Sequence, residues 1–282
     1  MDEFSESKFT QSHGDEIDNK IPVEVLSSIE IREKLADLRY LPKFEEIRQA
    51  FTDEQELSEY MYNNGIYEFI NQEYVAHLSQ YIIEAAIRLR QADSQPIAIL
   101  EVGAGNGRLT HFLQEAIERT NPGLVKIVAV DTGEWKIKPT FPVVETNHQQ
   151  AIKLYNPKII ISSWMPPNID LSQDFRDTEN VEEYILIGDS EACGKLYDTW
   201  ALDPDNLAPS EKDGFGKREL QSLSNFQLGK SDQDLDWFLE GDKTEHGKQW
   251  HTRSETVSFR RMGVEAAGKL RQAELDRWIS GE

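Results

Sequence analysis

The fold of this 282-residue chain is indicated by the stretch ILEVGAGNGRLT at residues 99–110. An apolar, β-branched run at 97–102 is typical of a buried strand, and the apolar spacing at 109–119 predicts an amphipathic helix. Between them, three glycines stand at alternate positions, which lets a ligand approach the backbone and the free N–H groups of the first helical turn. The stretch therefore predicts a binding loop for a nucleotide-type ligand at the end of a strand.

Short runs rich in Ile and Val alternate with amphipathic segments beyond this loop. The strand candidates are 97–102, 125–130, 143–144, 159–161 and 184–187, with helix candidates between them at 109–119 and 149–155. Such alternation predicts a parallel sheet covered on both faces. Two further strand candidates, 226–229 and 255–260, would add antiparallel strands at one edge. We therefore expect an α/β fold: a Rossmann-like, doubly wound, mostly parallel seven-stranded sheet with an antiparallel edge.

The rest of the chain divides into three regions by composition. Residues 1–20 are acidic and poor in apolar side chains, which predicts a disordered tail. Helical spacing of apolar residues at 21–92, including a long helix candidate at 67–90, predicts an N-terminal helical layer over the site. The α/β domain is expected at 93–262 and a C-terminal helix at 263–282.

Charge and cysteine content narrow the classes of partner. Thirty basic and 51 acidic residues give a net charge of −21, which would repel a phosphate backbone or an anionic membrane surface. We therefore expect no nucleic acid and no membrane as partner. The single cysteine, Cys193, cannot form an internal disulfide, and the acidic N-terminus does not resemble a secretory signal. A cytoplasmic location is the expectation.

The spacing of the glycines distinguishes between nucleotide ligands. A dinucleotide-binding fingerprint places its third glycine where this chain has the bulky Arg108. Gly103, Gly105 and Gly107 instead give G-x-G-x-G after Glu101. In this motif the sequence resembles the class I S-adenosylmethionine-dependent methyltransferases, whose first motif reads E/D-x-G-x-G-x-G.

The resemblance implies S-adenosylmethionine as cofactor and assigns roles to particular residues. The three glycines would allow close approach of the methionine part of the cofactor, and Glu101 would orient the loop and the cofactor's amino group. Asp131 ends the next strand, 28 residues after Gly103, at the place of a ribose-binding carboxylate, with a helix cap or turn as the alternative. Asn147 would contact adenine, with a helix cap as its alternative.

A fourth element suggests where the methyl acceptor binds. The strand at 159–161 runs into Ser162-Ser163-Trp164-Met165-Pro166-Pro167, and the two prolines predict a rigid turn at the ligand-binding edge of the sheet. In many amine methyltransferases of the family the motif reads Asp/Asn-Pro-Pro-Tyr/Phe, and this chain lacks that amide or carboxylate. We expect Trp164, Met165 and Pro166 to contact the acceptor, together with Tyr67 of the preceding helix candidate; core packing is the alternative for Trp164 and Met165.

Two further features bear on catalysis. His148 is a candidate base for removing the acceptor's proton, with a surface histidine as the alternative. The acidic run at 166–192 is either a solvated surface or a field that attracts a cationic acceptor. No metal site is expected.

The expected function is therefore methyl transfer from S-adenosylmethionine to a nitrogen or oxygen of a small-molecule or peptide acceptor. The alternative is a non-catalytic S-adenosylmethionine-binding subunit that acts through a protein partner. A nucleotide-dependent oxidoreductase is disfavoured by Arg108, and a nucleic-acid methyltransferase is disfavoured by the net charge. The sequence does not define the acceptor or the oligomeric state.

Overall fold

The computed structural model describes residues 27–90, 95–202, 208–229 and 254–263. The predicted tail at 1–20 and, apart from its first residue, the predicted helix at 263–282 lie outside the described residues. None of the described helices is long and apolar enough to cross a lipid bilayer.

The centre of the fold is a seven-stranded sheet. Its strands in chain order are β1 (Ile97–Val102), β2 (Val125–Asp131), β3 (Val144–Glu145), β4 (Ile159–Ser163), β5 (Glu183–Asp189), β6 (Phe215–Glu219) and β7 (Ser254–Arg261). They are arranged in the order β3-β2-β1-β4-β5-β7-β6. The first five strands pair in parallel, and β7 runs antiparallel to both β5 and β6. The expected fold class, a mostly parallel sheet with an antiparallel edge, is confirmed.

Ten helices lie in the described part of the chain. They are α1 (Ser28–Leu35), α2 (Phe44–Ala50), α3 (Glu54–Asn63), α4 (Gln72–Leu89), α5 (Arg108–Thr120), α6 (His148–Tyr155), α7 (Ser172–Arg176), α8 (Leu196–Trp200), α9 (Pro209–Lys212) and α10 (Gln221–Ser224). Helices α1 to α4 form the described part of the N-terminal layer. Helices α5 and α6 follow strands of the parallel sheet, as the alternating pattern predicts.

Both faces of the sheet are buried, which explains why its central strands are continuous apolar runs. On one face Ile99 and Ile161 pack in a core with apolar residues of α4 and α5. On the other face Leu100 and Ile160 pack with Ala151 and Ile152 of α6. Neighbouring residues of one strand thus enter different cores, because successive side chains point to opposite faces.

The N-terminal layer has a small core of its own and is tied to the α/β domain through Arg108. Its buried residues include Leu35, Ile47 and Met61, and they pack against Leu228. Arg108 is 5% exposed, and its Nη2 donates to the carbonyl oxygens of Tyr40 at 2.7 Å and Ile70 at 3.4 Å. The residue that replaces the third glycine of a dinucleotide motif therefore anchors the layer beside the glycine loop.

Two expectations about secondary structure were wrong. Helix α4 begins at Gln72 and not at 67, because the Asn71 side chain accepts the N–H of Tyr74 and caps the helix there. Residues 226–229 form no strand and contribute one isolated bridge, between Gly229 and Glu68.

Strand β6 is not among the strands that the sequence predicts. It is an edge strand, with Phe215 as its one fully buried residue, so it lacks the alternating apolar pattern that would have predicted it.

Candidate functional site

A cavity of about 600 Å³ opens at the carboxyl ends of the parallel strands. Val102 at the end of β1 pairs with Val130 of β2 and with Ser162 of β4, so the segments that follow these three strands lie side by side. The residues expected at the site that line the cavity are Glu101, Gly103, Gly105, Asp131, Trp164, Met165, Pro166 and Tyr67. The structure thus brings together the glycine loop, the candidate ribose carboxylate and the candidate acceptor residues.

The glycine loop leaves space for a ligand at Gly103. Its φ is +71°, a backbone conformation that favours glycine, and a Cβ built there has no atom within 4 Å. Gly107 has a different role. It precedes α5 with a φ of +76°, and a Cβ there would lie 2.8 Å from Cγ2 of Val143. Gly103 therefore forms an open cradle in the cavity, whereas Gly107 allows the helix start to pack against the segment before β3.

Glu101 is a buried carboxyl in the cavity wall. It is 2% exposed, and its Oε2 accepts hydrogen bonds from the backbone N–H of Thr110 at 3.0 Å and from the Thr110 hydroxyl. Burial raises the pKa of Glu101 to about 7, the Thr110 hydrogen bonds oppose this rise, and the nearby charge of Asp131 adds to it. In the described part of the chain Oε1 accepts no hydrogen bond. The carboxylate form would be stabilised by a cationic ligand at this atom.

Asp131 holds the loop with both carboxylate oxygens. Oδ2 accepts the N–H of Gly105 at 2.9 Å, and Oδ1 accepts the N–H of Gly133 at 2.8 Å. The residue therefore shapes the turn after β2 and also lines the cavity. Each oxygen retains acceptor capacity, since a carboxylate can accept about four hydrogen bonds in all.

The donor and acceptor set fits the cofactor that the resemblance implies. S-adenosylmethionine carries an ammonium group, a sulfonium and two ribose hydroxyls. Around the glycine loop the cavity offers the carboxyls of Glu101 and Asp131 and the open backbone at Gly103. Carboxylate acceptors suit an ammonium and vicinal hydroxyls, and a glycine without a Cβ suits a ligand that lies against the backbone.

Asn147 and His148 do not line the cavity. The Asn147 side chain accepts the N–H of Gln150 at 2.8 Å and caps α6, which is the alternative that the sequence left open. Nε2 of His148 lies 2.6 Å from Oδ2 of Asp174, a partner on α7. The adenine contact and the catalytic base expected from the sequence therefore have no support in the position of these two residues.

The acidic run at 166–192 also contributes no acid to the cavity wall, where it supplies Pro166, Pro167 and Ala192. Several of its acids have partners within the fold. Asp174 contacts His148, and Asp170 accepts hydrogen bonds from Ser172 and Thr199. This run is not the source of the negative charge in the cavity.

Trp164 and Met165 take different positions at the end of β4. Trp164 has a φ of +54°, an unfavourable conformation for a non-glycine residue, which the hydrogen bond from its N–H to the carbonyl of Ile187 at 2.8 Å helps to hold. Its ring lies 5.7 Å from that of Tyr67, centroid to centroid. Met165 is 3% exposed, and its sulfur accepts the N–H of Leu171 at 3.4 Å. The two aromatic rings therefore form the accessible wall, and Met165 supports it from the core.

Glu68 is a site residue that the sequence did not reveal. It lines the cavity, is 8% exposed, and accepts hydrogen bonds from the N–H of Leu228 at 3.0 Å, the hydroxyl of Ser254 at 2.6 Å and the indole N–H of Trp164 at 3.1 Å. Burial raises the pKa of Glu68 to about 7, and these three hydrogen bonds oppose the rise. Its partners are distant in sequence, so no local pattern could have marked it.

Comparisons with known proteins find similarity among solved structures. No protein-family model and no curated protein sequence matches the chain. Solved structures that resemble it include the DszA carbon methyltransferase, which is 16% identical with a TM-score of 0.35 over 67% of this chain and 54% of that one. The chain thus spans about half the length of that protein.

Two other similar structures are matched over nearly their whole length. One is the magnesium protoporphyrin IX methyltransferase ChlM from Synechocystis PCC 6803 with bound SAM, 12% identical, with a TM-score of 0.35 over 75% of this chain and 98% of that one. The other is the plantazolicin methyltransferase BpumL in complex with SAH, 13% identical, with a TM-score of 0.35 over 83% of this chain and 100% of that one.

Proposed function

We propose that this protein is an S-adenosylmethionine-dependent methyltransferase that acts on a small-molecule or peptide acceptor. The observation that carries the proposal is one cavity that combines an open glycine cradle at Gly103 with the carboxyls of Glu101 and Asp131. This combination stands at the carboxyl edge of the sheet, where open α/β sheets bind ligands.

Each of these residues would hold a different part of the cofactor. The backbone at Gly103 and Gly105 would accommodate the methionine part, Glu101 would accept hydrogen bonds from its ammonium group, and Asp131 would accept them from the ribose hydroxyls. Asp131 already binds the N–H of Gly105, so the same carboxylate would connect the ribose to the shape of the loop.

The cofactor, when bound, supplies a methyl group that its sulfonium already activates. The protein's contribution is to hold the acceptor in line with that methyl group and to exclude water. The wall formed by Tyr67, Trp164 and Pro166 is placed to do this, because β4 lies next to β1 and its following residues border the glycine loop. Nitrogen and oxygen acceptors both fit this description.

Binding calorimetry on the full chain tests the proposal. We expect micromolar dissociation constants for S-adenosylmethionine and S-adenosylhomocysteine, no measurable binding of NAD, and at least tenfold weaker cofactor binding in Asp131→Ala. Asp53→Ala is the matched control, because Asp53 also accepts a backbone N–H, that of Glu56, but lies outside the cavity wall. Binding of NAD in preference to S-adenosylmethionine, or no binding of either, would refute the proposal.

A non-catalytic subunit would share the same cofactor site. Methyl transfer to any acceptor distinguishes the two functions, since such a subunit binds the cofactor without turnover.

A further inference from the structure

One part of the cavity wall combines two aromatic rings with a buried acid. It consists of Tyr67, Glu68 and Trp164, which we call the aromatic-acid wall. Two of these residues come from the segment before α4 and the third follows β4. The wall therefore joins the N-terminal layer to the strand end that borders the cofactor loop.

Glu68 is a buried acid without a cationic partner in the described part of the chain. Its three hydrogen bonds come from neutral groups: a backbone N–H, the Ser254 hydroxyl and the Trp164 indole. A buried carboxylate that lacks a counter-charge is costly, and burial accordingly raises its pKa to about 7. A cation bound in the cavity would supply the missing charge.

The carboxyl can accept a further hydrogen bond. Oε2 receives the Ser254 and Trp164 donors, whereas Oε1 receives only the N–H of Leu228 among the residues that the structure describes. Each carboxylate oxygen has two acceptor positions, so Oε1 can accept one more N–H. A ligand with both a positive charge and an N–H group matches this need.

The two rings of the wall suit the same kind of ligand. The Tyr67 and Trp164 centroids are 5.7 Å apart, and their planes are inclined at 44°. An organic cation that sits within about 6 Å of an aromatic face is attracted by the ring quadrupole, and Trp and Tyr are favourable partners. The Trp164 ring is held in place by its hydrogen bond to Glu68, so the ring and the carboxyl form one unit.

Three acidic residues line the cavity. Among the described residues, the acids in its wall are Glu68, Glu101 and Asp131, and the basic residues are Arg108 and Lys138. Arg108 donates to two backbone carbonyls of the N-terminal layer. With Glu101 and Asp131 assigned to the cofactor, Glu68 is the acid left for the acceptor.

From these observations we propose that the aromatic-acid wall binds the methyl acceptor as an organic ammonium ion, with Glu68 accepting its N–H and the rings of Tyr67 and Trp164 contacting its charge. The Glu68 carboxylate then takes up the ammonium proton, which frees the nitrogen lone pair for attack on the methyl carbon. The C–N bond would form as the bond between the methyl carbon and the sulfur breaks, S-adenosylhomocysteine would leave, and the proton on Glu68 would pass to water. The inference rests on the proposed methyltransferase function and defines its acceptor as an amine. A neutral alcohol would leave the Glu68 carboxylate without a counter-charge, so the wall discriminates against it.

The test uses the full chain saturated with S-adenosylhomocysteine. Matched pairs of an ammonium compound and the corresponding alcohol, such as 2-phenylethylamine with 2-phenylethanol and benzylamine with benzyl alcohol, are titrated by calorimetry at pH 8. We expect the ammonium member to bind at least tenfold more tightly in at least one pair. Glu68→Gln should reduce that preference to within twofold while S-adenosylhomocysteine affinity stays within threefold of wild type.

Glu73→Gln is the matched control, because Glu73 also accepts a backbone N–H, that of Phe44, but does not line the cavity. It should leave the ammonium preference unchanged. Since Glu68 is buried and its substitution could prevent folding, Tyr67 provides a second variant at a site that is 41% exposed. Tyr67→Leu should lower the preference about three- to tenfold, and Tyr67→Phe, which keeps the ring, should retain it.

The outcomes separate the two proposals. If wild type does not bind S-adenosylhomocysteine, the proposed function itself fails. If it does bind, but shows no ammonium preference in any pair, or keeps the preference in both Glu68→Gln and Tyr67→Leu, then the ammonium inference alone is overturned.

Discussion

Replacing Gly103 by alanine should weaken cofactor binding while causing only a small loss of folding stability. The added methyl group meets no protein atom within 4 Å, so the folded chain has room for it. The remaining cost to folding is the positive φ of +71°, which for an alanine is about 1–2 kcal/mol. The methyl group would instead occupy space in the cavity that Gly103 lines.

The effect on binding follows from that overlap. One extra carbon atom forced against a close-packed group typically costs about 1–3 kcal/mol. At 25 °C this range corresponds to a roughly 5- to 150-fold weaker dissociation constant for S-adenosylhomocysteine. The loss of cofactor affinity should therefore be larger than the small loss of folding stability alone would produce.

Gly123 is the matched control, because it has a φ of +69° and also has no atom within 4 Å of a built Cβ, yet it lies outside the cavity wall. Urea unfolding should give Gly103→Ala and Gly123→Ala similar losses of stability, and calorimetry should show weaker binding only in Gly103→Ala. If Gly103→Ala binds the cofactor as tightly as wild type, the loop does not cradle the ligand and the reasoning is wrong.

Three other substitutions test separate parts of the structure. Glu101→Gln should become more stable relative to wild type by about 3 kcal/mol between pH 4 and pH 8, as measured by urea unfolding. The reason is that burial raises the folded-state pKa of Glu101 from 4.5 to about 7, so wild type loses stability as the pH increases through this window. His148→Ala should leave S-adenosylhomocysteine affinity within twofold of wild type, since the ring lies outside the cavity wall. Glu183→Ala should cost about 3–5 kcal/mol of stability in the same unfolding assay, because the fully buried carboxylate pairs with Arg88 and Arg260.

Each of these has a clear contrary result. A stability difference between Glu101→Gln and wild type that does not change with pH would mean that burial does not raise the pKa of Glu101. Tenfold weaker binding in His148→Ala would place that residue at the site after all. A loss below about 1 kcal/mol in Glu183→Ala would show that its ion pairs contribute little.

The strand-loop-helix unit could be predicted because its signals are local. Buried parallel strands such as 97–102 must be apolar on both faces, and alternate glycines mark a close approach of ligand to backbone. The same logic identified Asp131, since it ends β2, a strand adjacent to β1. These residues depend on their immediate neighbours in the chain.

The acceptor side could not be predicted in the same way. Glu68 becomes a site residue only because Trp164, Leu228 and Ser254 reach it from 96, 160 and 186 residues away. Asn147 was predicted at the site but does not line it. An Asn before a helix is equally compatible with a helix cap and with a ligand contact, and only the hydrogen bond that its side chain accepts from the N–H of Gln150 distinguishes them. The roles of these residues depend on long-range contacts and on side-chain direction, which the spacing of residues along the sequence does not reveal.

A crystal structure of the full chain with S-adenosylhomocysteine would show directly whether the cavity binds the cofactor. We expect one molecule in the cavity, with its methionine part against Gly103 and Gly105, its ammonium group near Oε1 of Glu101 and its ribose hydroxyls on Asp131. Density for the ligand elsewhere on the protein, or an empty cavity at millimolar ligand concentration, would contradict it.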